Sequence, residues 1–130
     1  MSEHPNAIAV RRGYEAFASY DLEGIRDLFT DDAVFHIGGR NPLTGTYTGK
    51  DAVLGFLADL VSRSGGTFKS ELHDVLANDE HVVALTHDTA QREGRSLDEN
   101  LVAVYHVRDG RVSEGWFHPS DPYTDDEFWA

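Results

Sequence analysis

Two dipeptides constrain this chain more than any other feature. Asp109-Gly110 separates the apolar-rich runs Ser96–Arg108 and Arg111–His118. Asp-Gly between two such runs is a strong signal of a two-residue β-hairpin, because both turn positions need a positive φ. Glu93-Gly94 holds the same place between Val82–Gln91 and Ser96–Arg108, and Asn78-Asp79 follows Thr67–Leu76. The second half of the chain therefore predicts a meander of antiparallel strands.

The first half predicts helices. Ala7, Val10, Tyr14, Phe17 and Ala18 recur at helical spacing behind Pro5, with Asn6 as the expected cap. Asp21 caps a second, short helix whose apolar face is Leu22, Ile25, Leu28 and Phe29. Ala33–Ile37 reads as a short strand, and Gly38–Gly49 as a loop. Thr48 and Asp51 suggest a capping box for a third helix through Val53, Phe56, Leu57 and Leu60, ended by Gly65-Gly66. Helices first and a meander after them predict an α+β domain, with helices on one face of a curved sheet. At 130 residues, with seven Phe, five Tyr and two Trp, one domain spanning 1–130 can bury a core unaided.

Hairpin counting assigns the faces. With Arg92 opposite Arg95, His87 pairs with Asn100, Leu85 with Val102 and Val83 with Val104. With Arg108 opposite Arg111, Val102 pairs with Phe117 and Ala103 with Trp116. An even turn at Asn78-Asp79 adds Ser70, Leu72 and Asp74 to the His87 side. The other side then holds Leu101, Ala103, Tyr105, Trp116 and His118, and the same count puts His73 there. Both faces mix apolar with isolated polar residues, and three helices cannot cover both. A second copy of the chain is expected on one of them.

Charge and composition exclude several functions. The net charge of −12 repels phosphate backbones and anionic lipid, so neither nucleic acid nor membrane is an expected partner. The absence of cysteine removes disulfides, thiolate metal sites and cysteine nucleophiles. No run approaches the roughly 18 apolar residues of a membrane span. The opening MSEHPNAIAV lacks a basic segment followed by an apolar one, so a cytoplasmic protein without a leader is expected. No His-x-x-x-His lies on a helix, no Gly-x-Ser-x-Gly elbow occurs, and the glycine pairs lack the strand-to-helix setting of a phosphate loop. Neither a metal nor a cofactor is expected.

Particular segments resemble the SnoaL-like branch of the nuclear-transport-factor-2-like, or ketosteroid-isomerase-like, superfamily. They are Phe29-Thr30-Asp31-Asp32-Ala33-Val34-Phe35-His36, the loop Gly39–Gly45 with Tyr47 and Gly49, Val107–Val112 with Glu114 and Trp116, and the closing Asp126-Glu127-Phe128-Trp129. The resemblance implies a cone-shaped, curved antiparallel sheet that encloses a pocket with the three helices. It also implies a homodimer through the sheet's outer face. His87 and Asn100 would then line the pocket, and Leu101, Ala103, Tyr105 and Trp116 would form the dimer. Ketosteroid isomerases carry carboxyls at positions matching about Ile37 and Val102, so steroid isomerisation is not expected here. The His-Trp-Asp strand end of the SnoaL cyclases is matched by Gly115-Trp116-Phe117, which lacks the acid.

What remains is a pocket for a small apolar molecule, with candidate groups His87, Asn100, Asp74, Tyr14 and His36. A histidine near neutrality passes a proton either way, and an amide opposite it can hold a ring nitrogen or a carbonyl. An apolar pocket would raise the carboxyl of Asp74, and the Tyr14 hydroxyl could meet an oxyanion. Plain readings compete: His87 and Asn100 satisfying each other in a core, Asp74 bridging near the turn, Tyr14 as a core aromatic. The expected function is cofactor-free acid/base catalysis of isomerase, cyclase, hydrolase or dehydratase type. The alternatives are a non-catalytic ligand-binding or accessory module of the same fold, and an interaction domain using the sheet face. Tyr123, Phe128 and Trp129, large apolar groups in an acidic tail, are expected to dock on the body.

Overall fold

Both acidic-glycine turns form as two-residue hairpins with positive φ throughout, 49° and 77° at Glu93-Gly94 and 54° and 76° at Asp109-Gly110. They belong to a computed structural model that describes residues 3–130. The element order is α1 (Pro5–Ala18), α2 (Leu22–Arg26), β1 (Phe29–Ile37), β2 (Gly45–Thr48), α3 (Lys50–Arg63), β3 (Lys69–Ala77), β4 (His81–Arg92), β5 (Arg95–Arg108), β6 (Arg111–Pro119) and α4 (Pro122–Trp129). The β4–β5 ladder is unbroken from His81↔His106 to Arg92↔Arg95, and it pairs His87 with Asn100.

The sheet corrects the expected architecture. Its order is β2-β1-β6-β5-β4-β3, with β2 and β3 as free edges. β1 runs parallel to β6, so the sheet is mixed rather than antiparallel. It is open, neither closed nor strongly curled, and a cone-shaped barrel does not describe it. The parallel pairing joins residues far apart in sequence through a crossover that hairpin counting cannot see. β2 arises within the segment read as a loop, pairing Tyr47 with Phe35.

Two bulges decide which side chains share a face. The register shifts between Leu72 and Asp74, leaving His73 unpaired, and between His106 and Val107, leaving Ser113 unpaired. One extra residue moves all that follows to the opposite face. Val104 therefore pairs with Trp116, and Ala103 with Phe117. The buried, helix-covered face carries Val82, Ala84, Thr86 and Asp88 on β4 and Glu99, Ala103 and Tyr105 on β5. Leu101, Ala103 and Tyr105 thus belong to the interior rather than to an outer dimer face, and His87 and Asn100 point outward.

The helices follow amphipathic spacing, but two caps differ from expectation. His4 caps α1, its Nδ1 accepting from the Asn6 amide, while Asn6 is buried and donates to the carbonyls of Asn78 and Asp79. α3 begins at Gly49, whose φ of 98° permits the sharp entry, with no side-chain cap. Asp21 caps α2 as read, accepting from Gly24. α1 packs on β3 and β4, and α3 packs on β1 and β2 around Phe35, which meets Phe29 at 5.5 Å and Phe117 at 4.9 Å in edge-on contacts. The tail forms α4, which buries Phe128 and Trp129 but leaves Tyr123 85 % exposed. Among the described residues no helix is long and apolar enough to cross a membrane.

Candidate functional site

A cavity of about 370 Å³ lies between the buried sheet face and helices α1 to α3, and α4 borders it. Its walls are mostly apolar, with Phe17, Phe35, Phe56, Leu60, Phe117 and Trp129 among them. That size and lining suit a small molecule.

Few polar groups enter this space. The Tyr14 hydroxyl lies 2.7 Å from that of Tyr105, and burial raises the pKa of both phenols. Asp88 Oδ1 accepts from Ser70 Oγ at 2.6 Å and from Thr86 Oγ1 at 2.9 Å. Burial outweighs those bonds and raises the Asp88 carboxyl. Glu99 stands directly across the ladder from Asp88. Burial first, then a hydrogen bond and repulsion from Asp125 and the charge of Asp88, push its pKa up to about 9. Glu99 is thus protonated at neutral pH, and it donates to Asp125, whose own carboxyl is raised chiefly by burial. Glu99 Oε2 is buried without a hydrogen-bond partner.

α4 is placed by contacts at both ends. Asp121 caps it by accepting from the Tyr123 and Thr124 amides. Asp126 Oδ1 accepts from the Arg40 amide and from Asn41 Nδ2, each at 2.8 Å, and these bonds hold its carboxyl low. A side chain at Gly39, where φ is 90°, would run into that carboxylate. At the far end Arg92 donates to the carbonyls of Phe128 and Ala130, and Arg95 to those of Glu127 and Ala130. Two arginines face each other across the hairpin because both satisfy the last carbonyls of this helix. The hairpin clamp thereby sets Asp125 against Glu99.

Of the candidates read from sequence, Tyr14 lines this cavity and the others do not. His87 lies on the outer face, 2.9 Å from Asn100 Oδ1 and 3.0 Å from Asp98, and the Asn100 contact raises its pKa. Asp74 is exposed past the β3 bulge and accepts from the Val75 amide. His36 is also on the outer face, stacked on Trp116 at 5.2 Å and 2.6 Å from Glu114. His118, expected with Trp116, borders the cavity. Sequence reasoning missed Asp88, Glu99 and Asp125. A signal was present: two acids opposite each other in a correctly counted register repel, an arrangement that needs a reason. Among the described residues no group of three or more His, Asp or Glu is placed to hold a metal ion.

Residues 10–115 match the SnoaL-like domain family. An uncharacterized protein of Mycobacterium tuberculosis is 32 % identical over 131 residues, covering 100 % of both chains. The structure of Bal32a from a soil-derived mobile gene cassette is 38 % identical, with a TM-score of 0.94 over 97 % of each chain. An NTF2-like protein of unknown function from Burkholderia pseudomallei, 23 % identical, shares the fold with a TM-score of 0.86 over 98 % of this chain and 99 % of its own. By sequence, the chain belongs to the SnoaL-like domain family, and it shares its fold with NTF2-like proteins.

Proposed function

We propose that this protein binds a small, mainly apolar molecule in the cavity and moves a proton on it without a cofactor, using the Glu99–Asp125 pair. The observation that carries the reading is a pair of buried acids, Asp88 and Glu99, facing each other across the ladder beside Asp125 in the wall of an otherwise apolar space, where burial raises the Glu99 carboxyl. Two carboxyls sharing one proton can give it or take one, and exclusion of water strengthens their field. The Tyr14–Tyr105 pair supplies a hydroxyl donor for charge developing on the ligand. His87, Asn100, Asp74 and His36 are not part of this proposal, since they stand outside the cavity.

The test needs no prior substrate. Neutral polycyclic compounds bearing ketone, epoxide or amine groups are incubated with the protein in D₂O and followed by mass spectrometry. Product formation or deuterium uptake is expected with the unmodified protein, falling at least a hundredfold in Glu99→Gln. Saturable binding with neither product nor exchange would assign the protein to the accessory, ligand-holding role. A homodimer through the outer face belongs to the same proposal. It is supported by Val83, Leu85, Val102, Val104 and Trp116, an apolar row that no helix covers.

A further inference from the structure

Four carboxyl side chains border the cavity, Asp88, Glu99, Asp125 and Asp126, and among the described residues no lysine or arginine does. Asp88 and Glu99 oppose each other on adjacent strands, where two ionised acids destabilise a sheet. Asp88 already accepts from Ser70 and Thr86. Glu99 Oε2 is buried with no hydrogen-bond partner, in a residue only 5 % exposed. Such an atom loses its water without gaining a partner, which costs stability. The other charged side chains that border the cavity, Asp88, Asp125 and Asp126, are acids and offer Oε2 no positive donor. What the site lacks is a hydrogen-bond donor, preferably a positive one.

That lack discriminates among ligand heads. A ketone or ether offers acceptors only and leaves Oε2 bare. A carboxylate adds negative charge to a negative wall. A hydroxyl supplies one donor and no charge. A protonated amine supplies up to three donors and a compensating charge, and the faces of Tyr14, Phe17, Phe68 and Trp129 lining the cavity attract cations. The chain's net charge of −12 favours the approach of a cation from solution.

We propose that the cavity takes an amphipathic amine, its apolar body against Phe56 and Phe117 and its protonated nitrogen between Glu99 Oε2 and the Asp88 carboxyl. The inference rests on the reading of this cavity as the ligand site and names the chemical class it selects. Seating the ammonium draws the shared proton off the Glu99–Asp125 pair. The titratable groups that line the cavity with Glu99 are Tyr14 on α1, Asp88 on β4, Tyr105 on β5, His118 on β6, and Asp125 and Asp126 on α4, and Asp125, Asp88 and the capping Asp121 act on its charge.

The test is calorimetric titration of the full chain at pH 7 with three probes of one shape: naphthylmethylamine, naphthylmethanol and naphthoate. The amine is expected to bind at least tenfold more tightly than the alcohol, with proton release to the buffer, and naphthoate most weakly. Glu99→Gln should bring amine and alcohol within twofold of each other. Asp88→Asn serves the same purpose if Glu99→Gln fails to fold. An alcohol that binds as tightly as the amine, or an amine preference that survives both substitutions, overturns the inference alone. Failure of all three probes to bind overturns the cavity reading and the inference with it.

Discussion

Replacing Glu99 by glutamine should stabilise this protein, and by an amount that depends on pH. The folded chain holds a Glu99 proton up to about pH 9, whereas the unfolded chain releases it near the ordinary value of 4.5. Below 4.5 both states carry the proton and burial of this group adds no pH dependence. Above it the unfolded state gains by ionising, so stability falls as pH rises and levels off only beyond the folded value. At about 1.4 kcal/mol per pH unit the penalty is on the order of 3 kcal/mol at pH 7 and roughly 6 kcal/mol at pH 9. Glutamine has the same shape and cannot ionise, and its amide still donates to Asp125. The measurement is urea unfolding of both proteins at pH 5, 7 and 9, followed by tryptophan fluorescence. With a slope of about 2 kcal/mol per molar urea, the variant's midpoint at pH 7 should exceed the parent's by about 1.5 M, and the gap should shrink toward pH 5. Parallel pH profiles for the two proteins, or a variant less stable than its parent at pH 7, would refute the account of Glu99.

Tyr105→Phe should cost about 1–3 kcal/mol in unfolding free energy, since it leaves the buried Tyr14 hydroxyl without its partner at 2.7 Å. Phe128→Ala should cost about 3–5 kcal/mol because that ring is fully buried, and it should loosen α4 from the cavity. The double variant Arg92→Ala, Arg95→Ala should speed amide exchange across Pro122–Trp129 at least tenfold while exchange in β4 and β5 stays slow, and uniform acceleration would contradict the clamp. Sedimentation of the unmodified protein at micromolar concentration should show a dimer that Trp116→Ala weakens, and a monomeric parent would refute the outer-face interface.

The register of β4 and β5 was legible because Glu93-Gly94 admits one turn geometry, so counting back from Arg92 and Arg95 places His87 opposite Asn100. What that count cannot give is which face is covered. The outer face carries Val83, Leu85, Val102 and Val104, and the inner one Thr86, Asp88 and Glu99, so polarity points the wrong way when the cavity itself is acidic. The bulges at His73 and Ser113 carry no turn residue and leave no mark in the sequence. Tyr14 was placed by helical spacing, a local property. Asp125 reaches Glu99 only through the docking of α4, which depends on Arg92 and Arg95 meeting the helix end, a long-range event that local pattern does not encode.

The parallel pairing of β1 with β6 also sets the order in which the chain can be assembled. Phe29 lies beside Val112, and Phe35 beside Gly115, so the aromatic cluster around Phe35 has no closing strand until the last quarter of the chain is available. During synthesis the β1–β2 hairpin and the first helices must wait with those rings uncovered, while the β3–β6 meander, joined by local turns, can form last and quickly. Contacts of such long sequence separation slow folding and prolong exposure of apolar surface. The step that fastens β1 onto β6 is therefore the one at which a growing or refolding chain is most open to aggregation.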